Sequence, residues 1–292
     1  MAQRFGSAHT KLKLDKLEKY LRAYTTALKN QKFKLLYFDA FAGAGDIQIG
    51  SEASLLETVD DYTPFIKGSA ERALRLKESF DRYVFVDRKA ANIKALQALR
   101  SEHRDIADRI DIRRGDANTE LLSFCKNTDW SRSRAVVFLD PYGNQVKWDT
   151  LVAIARTEAI DLWYLFPAGL GVYRQISKEG EVNQSAEASL DTILGTTDWC
   201  NSFVESRIES DLFGSRAMLE KRATVESVTR FMAQRMKGIF KGGVLDEWYP
   251  LGSRKIHMYS LMFAWANPSE KAKLAGKLAL AVLRSKSSGR TE

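Results

Sequence analysis

Leu35-Leu-Tyr-Phe-Asp-Ala-Phe-Ala-Gly-Ala-Gly45 is the stretch that decides the fold. An apolar run ends in an acidic residue and then in a short loop that contains Gly43 and Gly45. Such a run, bounded by a turn, indicates a buried parallel strand. Glycine tolerates positive φ and lets a ligand approach the backbone closely. The pattern predicts a doubly wound α/β fold with a nucleotide site at the carboxyl end of its first strand.

The glycine loop is not of the NAD-binding type, because the third glycine of Gly-x-Gly-x-x-Gly is replaced by Gln48. A strand that ends in Asp-x-Phe-Ala-Gly-x-Gly resembles the first motif of class I methyltransferases that use S-adenosylmethionine (SAM). A simple turn between a strand and a helix is the alternative interpretation. The resemblance implies SAM as the cofactor, with contacts from the motif residues Asp39, Phe41, Ala42, Gly43 and Gly45.

Composition limits the classes of function. The chain has 292 residues, a formal net charge of +8, two cysteines and three histidines. The positive charge favours an anionic partner such as nucleic acid, although solvated helix faces account for many of the basic residues. The few, scattered cysteines and histidines predict neither a disulfide framework nor a metal site. No apolar run has the length of a membrane span and no signal peptide is recognisable, so we expect a cytoplasmic protein.

Helical and strand patterns alternate along most of the chain, which predicts a mostly parallel sheet with helices on its faces. A last antiparallel hairpin completes seven strands, at 34–40, 82–87, 109–113, 133–140, 160–166, 244–251 and 256–264. We expect an N-terminal helical cap (residues 1–33) and a methyltransferase-like domain (34–292). A helical insert is expected at about 168–240, with its last helix at 216–237, and its part at 168–215 is expected to set specificity.

Three acidic residues fall at or just beyond the ends of predicted strands, where ligands bind in open α/β sheets. Asp87, followed by Arg88, is placed to accept hydrogen bonds from both ribose hydroxyls of the cofactor. Asp116 is placed to accept one from an adenine amino group, with Ala117 offering a backbone N–H. Asp39 is expected to orient the glycine loop or to meet the methionine ammonium group. A helix N-cap or a solvated turn is the alternative for each.

Val137-Phe-Leu-Asp-Pro-Tyr-Gly143 carries the candidate chemistry. It resembles the Asp/Asn-Pro-Pro-Tyr/Phe motif of methyltransferases that act on amino groups of adenine, cytosine or glutamine. The resemblance implies that Asp140 and the Pro141 carbonyl hold the target amine and that Tyr142 stacks on its planar group. The motif in this chain has one proline, Pro141, where the family pattern has two, which alters the position expected for the ring, and a plain turn is the alternative. The loop contains no cysteine, so a cytosine-C5 mechanism is not expected.

Several stretches spread along the chain form a combined pattern. They are His9-Thr-Lys-x-Lys13 with Leu17 and Tyr20-Leu21, Tyr37 to Gly45, Gly68-Ser69-Ala70, Val84-Phe-Val-Asp87, Phe138 to Gly143 and Tyr259-Ser-Leu-Met-Phe-Ala264. Together they resemble the bacterial three-Cys-motif partner family (TcmP). That resemblance implies a methyltransferase-like domain and association with a radical-SAM-like protein that carries a three-cysteine motif.

Basic residues outside the motifs are candidates for substrate binding. His9, Lys11 and Lys13 on the first predicted helix are expected to cover the cofactor site or to grip a phosphate, and Arg174 is a further candidate. A solvated helix is the alternative for the first three. The sequence therefore predicts a SAM-dependent methyltransferase that modifies a nucleobase nitrogen in RNA or DNA. A non-catalytic SAM-binding partner and a cofactor-free nucleic-acid-binding module are the alternatives.

Overall fold

The computed structural model describes residues 6–43, 46–47, 66–211, 214–253 and 256–285. The strands, in chain order, are β1 (Lys34–Asp39), β2 (Asp46–Ile47), β3 (Ile66–Lys67), β4 (Arg82–Asp87), β5 (Ile110–Arg114), β6 (Ser133–Leu139), β7 (Ile160–Phe166), β8 (Val204–Asp211), β9 (Gly214–Lys221), β10 (Gly243–Val244), β11 (Tyr249–Ser253) and β12 (Ile256–Trp265). The helices are α1 (Gly6–Leu28), α2 (Ser69–Leu74), α3 (Ala90–Glu102), α4 (Ala117–Asn127), α5 (Trp148–Arg156), α6 (Gln184–Leu194), α7 (Trp199–Phe203), α8 (Val225–Lys237) and α9 (Lys273–Arg284).

The central sheet is parallel over five strands and antiparallel at one edge. Its order is β10-β12-β7-β6-β1-β4-β5, with β11 also paired to β12. Strands β5, β4, β1, β6 and β7 are parallel, and β12 runs antiparallel to β7. The chain reverses its direction of travel across the sheet between β1 and β6, which creates a crevice at their carboxyl ends. The predicted Rossmann-like α/β fold, with a mostly parallel sheet and terminal antiparallel strands, is confirmed.

Two predicted elements were wrong in detail. The segment at 244–251 is not one strand, because β10 and β11 pair with different parts of β12; the sheet thus has eight strands in the described residues rather than seven. The insert is not wholly helical, since β8 and β9 form a hairpin. Helix α8 begins only at Val225, where Thr224 and Ser227 make a capping box. The predicted loop at 46–66 lies mostly outside the described residues.

Both faces of the sheet are covered, which explains the unbroken apolar runs of its central strands. All seven residues of β7 are buried. Trp163, Tyr164 and Phe166 have no exposed surface and are therefore core residues. No helix of the described residues is long and apolar enough to cross a membrane.

Helix α1 is fastened to the body of the protein by buried polar contacts as well as by apolar packing. Leu17 and Leu21 are buried on its inner face. Tyr20 donates a hydrogen bond to Asp161 of β7. The buried ammonium group of Lys16 donates to three carbonyl oxygens at the end of α9 and just beyond it. These contacts fix the position of the first helix relative to the sheet.

Candidate functional site

The candidate site lies at the carboxyl ends of the four parallel strands that flank the crevice. Asp39 is the last residue of β1 and Asp87 is the last residue of β4. Asp116 follows β5 as the N-cap of α4, and Asp140 directly follows β6. Because these strands are parallel neighbours, their ends meet at one edge of the sheet. The four predicted carboxylates are therefore gathered at one edge.

Asp39 is completely buried at the reversal point of the sheet. Its carboxylate accepts a hydrogen bond from the Tyr37 hydroxyl at 3.4 Å and one from the Phe41 backbone N–H at 3.3 Å. Burial raises the pKa of Asp39 to about 7, and the negative charge of Asp140 adds to this, while a hydrogen bond from Ser69 opposes it. A carboxyl group whose pKa is about 7 is suited to receive a cationic ligand, because the positive charge of the ligand favours the ionised carboxylate.

The glycine loop is held by Asp87. The Gly43 N–H donates to Oδ2 of Asp87 at 3.2 Å, and the Lys89 N–H donates to Oδ1 at 2.7 Å. Gly43 has a φ of +62°, and no atom of the described residues beyond its chain neighbours lies within 4 Å of the place where its Cβ would be. The loop is thus fixed from one side by Asp87, and none of the described residues covers the other side. Phe41 packs against the core, Ala42 is buried, and Gly45 lies outside the described residues.

Asp116 caps helix α4. Its Oδ1 accepts hydrogen bonds from the backbone N–H and the hydroxyl of Thr119, at 3.0 and 3.2 Å, and its Oδ2 pairs with the Arg88 guanidinium. Burial by itself would raise the pKa of Asp116, but the Thr119 hydrogen bonds and the charge of Arg88 lower it below its usual value. The structure therefore gives Asp116 the N-cap role that was the alternative. The adenine contact, with buried Ala117 beside it, stays a prediction.

Asp140 makes the contact that the sequence did not reveal. The Lys13 ammonium nitrogen lies 2.5 Å from Oδ2 of Asp140, across 127 residues of sequence. The two side chains are only 17% and 22% exposed. A residue predicted to bind substrate thus meets the predicted catalytic carboxylate. Each was recognisable from its motif, but nothing in a single sequence pairs a lysine of the first helix with the end of the sixth strand.

The rest of the Asp-Pro-Tyr-Gly loop is ordered by amide side chains that follow it. Pro141 is buried, whereas Tyr142 is 60% exposed and its N–H donates to Oε1 of Gln145 at 2.9 Å. Asn144 donates to the Gly171 carbonyl and to the Ser189 hydroxyl, at 3.0 and 3.1 Å. Sequence reasoning missed these amides, and their position directly after the motif was the available signal. They attach the candidate catalytic loop to the insert.

The other predicted substrate residues are less defined. Lys11 is exposed, and on a helix it lies two positions from Lys13 and so does not share its face. Arg174 is exposed in a short 3-10 turn, Tyr173–Gln175. His9 belongs to helix α1, but its side chain is outside the described set. Of these predicted residues, Lys13 is the one for which the structure shows a contact with the carboxylates.

Neither cysteine is suited to nucleophilic chemistry. Burial raises the pKa of the Cys125 thiol to about 12, and burial also raises the pKa of Cys200. Both residues pack at the margin of the core. Within the described ranges, no group of three or more His, Cys, Asp or Glu side chains is arranged to hold a metal ion.

The amino-acid sequence matches no family model and no curated protein. Among solved structures, the chain is similar to protein LPL1258 of Legionella pneumophila, of the family DUF519, with 13% identity, coverage of 80% of this chain and 92% of that one, and a TM-score of 0.40. It is also similar to the putative methyltransferase yhhF of Escherichia coli (11% identity, 70% and 86% coverage, TM-score 0.31).

A third similar structure is magnesium protoporphyrin IX methyltransferase of Synechocystis with bound SAM (14% identity, 74% and 81% coverage, TM-score 0.30). At such low identities and TM-scores, the function of this chain has to be inferred from its own residues, and the fold from its own strand order.

Proposed function

We propose that this protein is a SAM-dependent methyltransferase that methylates an amino nitrogen of a nucleobase in RNA or DNA. The observation that carries the proposal is the position of Asp140. It ends the strand beside the reversal point, opens an Asp-Pro-Tyr-Gly loop and lies close enough to buried Asp39 to raise the pKa of that residue. Open α/β sheets bind their ligands at this point.

The described residues fit the proposed cofactor. Asp39 offers a buried carboxylate for the methionine ammonium group, and none of the described residues covers the outer face of Gly43. Asp87 uses one lone pair of each oxygen for backbone amides, so the remaining lone pairs are available to two ribose hydroxyls. Asp116 would reach the adenine through its remaining acceptor capacity. When bound, SAM supplies an electrophilic methyl group on a positively charged sulfur.

The chain's own residues then have to hold the target amine. The carboxylate of Asp140 is suited to accept hydrogen bonds from an amino group and so to aim its nitrogen. The exposed ring of Tyr142 offers a surface on which a base can stack. The hydrogen bonds of Gln145 and Asn144 keep the loop in place during this contact.

Nucleic acid is the substrate class that the charge favours. The net charge is +8, and Lys11 and Arg174 are exposed. Binding of RNA and DNA should weaken steeply as salt rises, because each phosphate contact releases counterions. A flat salt response would contradict a phosphate-contacting substrate. The TcmP resemblance adds a three-Cys-motif, radical-SAM-like protein as the proposed partner.

The first experiment is calorimetric binding of SAM and S-adenosylhomocysteine to the wild-type protein and to Asp87→Ala. We expect micromolar binding that weakens about 10- to 100-fold in the variant, since charged hydrogen bonds contribute about 1.5–3 kcal/mol. Asp108→Ala is the matched control, because Asp108 is exposed near the opposite ends of the strands. Absence of binding to folded wild-type protein would overturn the proposal.

The second experiment is transfer of labelled methyl groups to tRNA, rRNA, DNA and protein. Asp140→Ala should abolish transfer to the substrate while SAM still binds. The ion pair between Lys13 and Asp140 supports one alternative, in which the protein binds SAM without turnover as a partner of the three-Cys-motif protein. Unaltered function of the Asp140 variant would favour that alternative.

A further inference from the structure

Lys13 places a primary amine on the carboxylate that is proposed to receive the substrate amine. Its ammonium nitrogen is 2.5 Å from Oδ2 of Asp140, and both side chains are largely shielded from solvent. An exposed ion pair would contribute little and would change partners readily. This pair instead lies at the reversal point of the sheet, beside buried Asp39. The negative charge of Asp140 raises the pKa of Asp39.

The position of Lys13 is enforced by the rest of helix α1. Two to seven residues further along the helix, Asp15 accepts a hydrogen bond from Arg72 at 2.7 Å, Lys16 binds the end of α9 and Tyr20 binds Asp161. Because these three contacts fix the position of α1, the fold itself holds the side chain of Lys13 at the crevice. Lys11, by contrast, is exposed on a different face of the helix.

We propose that Nζ of Lys13 is itself a methyl acceptor, so that the protein methylates its own first helix. This inference rests on the proposed function, since the methyl donor is the sulfonium cofactor named there. The inference adds a second methyl acceptor, an alkyl amine of the same chain, which lies where the nucleobase amine would otherwise bind.

The reaction balances with the groups at the site. The Lys13 ammonium transfers one proton along its hydrogen bond to Oδ2 of Asp140, which gives the nitrogen a lone pair. The positive sulfonium nearby favours this loss, because like charges repel. Nζ then forms a bond to the methyl carbon while the carbon–sulfur bond breaks and its electron pair stays on sulfur. The products are a methylammonium side chain, a neutral thioether and a protonated Asp140.

Methylation of Lys13 would change which group binds the carboxylate of Asp140. Each methyl group keeps the positive charge of the lysine but removes one N–H donor. A trimethylated Lys13 could no longer donate a hydrogen bond to Asp140. The carboxylate would then be available to a nucleobase amine, so the methylation state of Lys13 controls access of the substrate to the site.

The test begins with the purified full chain, SAM and no other substrate, followed by peptide mass spectrometry. We expect one to three added methyl groups at Lys13 and none at Lys11, which serves as the internal reference. Lys13→Arg should take up no methyl group, whereas Lys94→Arg, a substitution of an exposed lysine outside the site, should leave the methylation of Lys13 unchanged. Asp140→Ala should leave Lys13 unmodified, because it removes the carboxylate that holds the amine and accepts its proton. Calorimetry on each protein establishes whether the cofactor binds.

The outcomes separate this inference from the proposed function. SAM binding with transfer to nucleic acid but an unmodified Lys13 would overturn the inference and leave the proposed function standing. Failure of the wild-type protein to bind SAM would overturn both. Methyl groups on Lys11 and Lys13 alike would indicate unspecific chemistry and would also overturn the inference.

A second readout needs no cofactor. In the ligand-free protein the ion pair with Asp140 should protect Lys13 from an amine-acylating reagent relative to exposed Lys11, by tenfold or more in rate. Asp140→Asn should raise the rate at Lys13 several-fold and leave Lys11 unchanged, with a circular dichroism spectrum that confirms the fold. Equal rates at the two lysines of the wild-type protein would show that Lys13 is not seated on Asp140, and the inference would fail.

Discussion

The hydroxyl of Tyr20, on the first helix, donates a 2.7 Å hydrogen bond to Oδ2 of Asp161, the second residue of β7. Tyr20 is completely buried and also packs against the ring of Trp163. Burial raises the pKa of Asp161 to about 7, although the Tyr20 hydrogen bond and the charge of Arg134 oppose this. Tyr24 faces the same carboxyl group and its pKa is raised by burial and by Asp161.

Asp161 should therefore make stability depend on pH. Its folded-state pKa is above the unfolded value, so the folded state binds the extra proton and stability falls as pH rises from about 4 to 7. We expect Asp161→Asn to lessen this fall, which is on the order of a few kcal/mol, because the amide oxygen still accepts from Tyr20 without carrying a charge. Urea denaturation at pH 5 and pH 8 measures the effect.

The control for that experiment is Asp108→Asn, a substitution of an exposed carboxylate, which should retain the wild-type pH dependence. Part of the slope should persist in Asp161→Asn, since buried Asp39 titrates in the same direction. An unchanged slope in Asp161→Asn would contradict a raised pKa for Asp161.

Asp39 should make cofactor binding depend on pH in the opposite sense. Its neutral form predominates below pH 7, and only the carboxylate pairs with an ammonium group. We expect SAM affinity to rise by up to about tenfold per pH unit between about 5.5 and 7 and then to level off. Calorimetry in buffers of different ionisation enthalpy should detect proton release below pH 7. Asp39→Asn should bind weakly at every pH, and a flat wild-type profile would refute the ammonium contact.

Lys16 should stabilise the fold through α9. Its ammonium group donates to the carbonyl oxygens of Val282 and Leu283, at 3.1 and 3.0 Å, and lies 4.2 Å from the ring centre of Tyr249. Lys16→Met keeps most of the apolar stem but removes the ammonium donor from both carbonyls, of which only that of Val282 also accepts from Ser285, and this should cost about 1–3 kcal/mol in the free energy of unfolding. Exposed Lys94→Met is the control and should change stability by less than about 0.5 kcal/mol.

Gly43 and Gly195 offer a matched comparison, because both have left-handed φ values, +62° and +66°. Alanine at either position is strained by about 1–2 kcal/mol. Among the described residues, a Cβ at Gly43 would meet no atom within 4 Å, whereas at Gly195 it would lie 2.1 Å from the Trp148 ring. We expect Gly195→Ala to destabilise the protein by at least about 2 kcal/mol more than Gly43→Ala in urea denaturation. Equal losses would show that the face of Gly43 is not open.

The sheet and the positions of its acidic residues were predictable from local signals. Buried parallel strands read as apolar runs, and each of Asp39, Asp87 and Asp140 stands where such a run stops. The hairpin at 204–221 was not predictable in this way, because Ile208 and Leu219 are exposed and leave no clear alternation between a buried and a solvated face.

Long-range pairing was beyond the reach of the sequence for a different reason. The contact of Lys13 with Asp140 depends on how α1 lies across the finished sheet, and periodicity shows only which face of a helix is apolar. The role of Asp116 was also beyond the reach of the sequence, because a residue just beyond a strand can either bind a ligand or cap the following helix. The structure shows the cap, and the motif alone cannot decide between the two roles.

The attachment of Lys16 to the end of α9 has a consequence for biosynthesis. The nitrogen of Lys16 and the carbonyl of Leu283 are 267 residues apart, so the first helix leaves the ribosome long before its last partner is made. Until α9 emerges, the Lys16 ammonium lacks these acceptors, and the helix that carries Lys13 is incompletely docked. The helix that carries Lys13 can therefore complete its docking only after α9 has been synthesised, whereas the four carboxylates of the crevice all precede α9 in the chain.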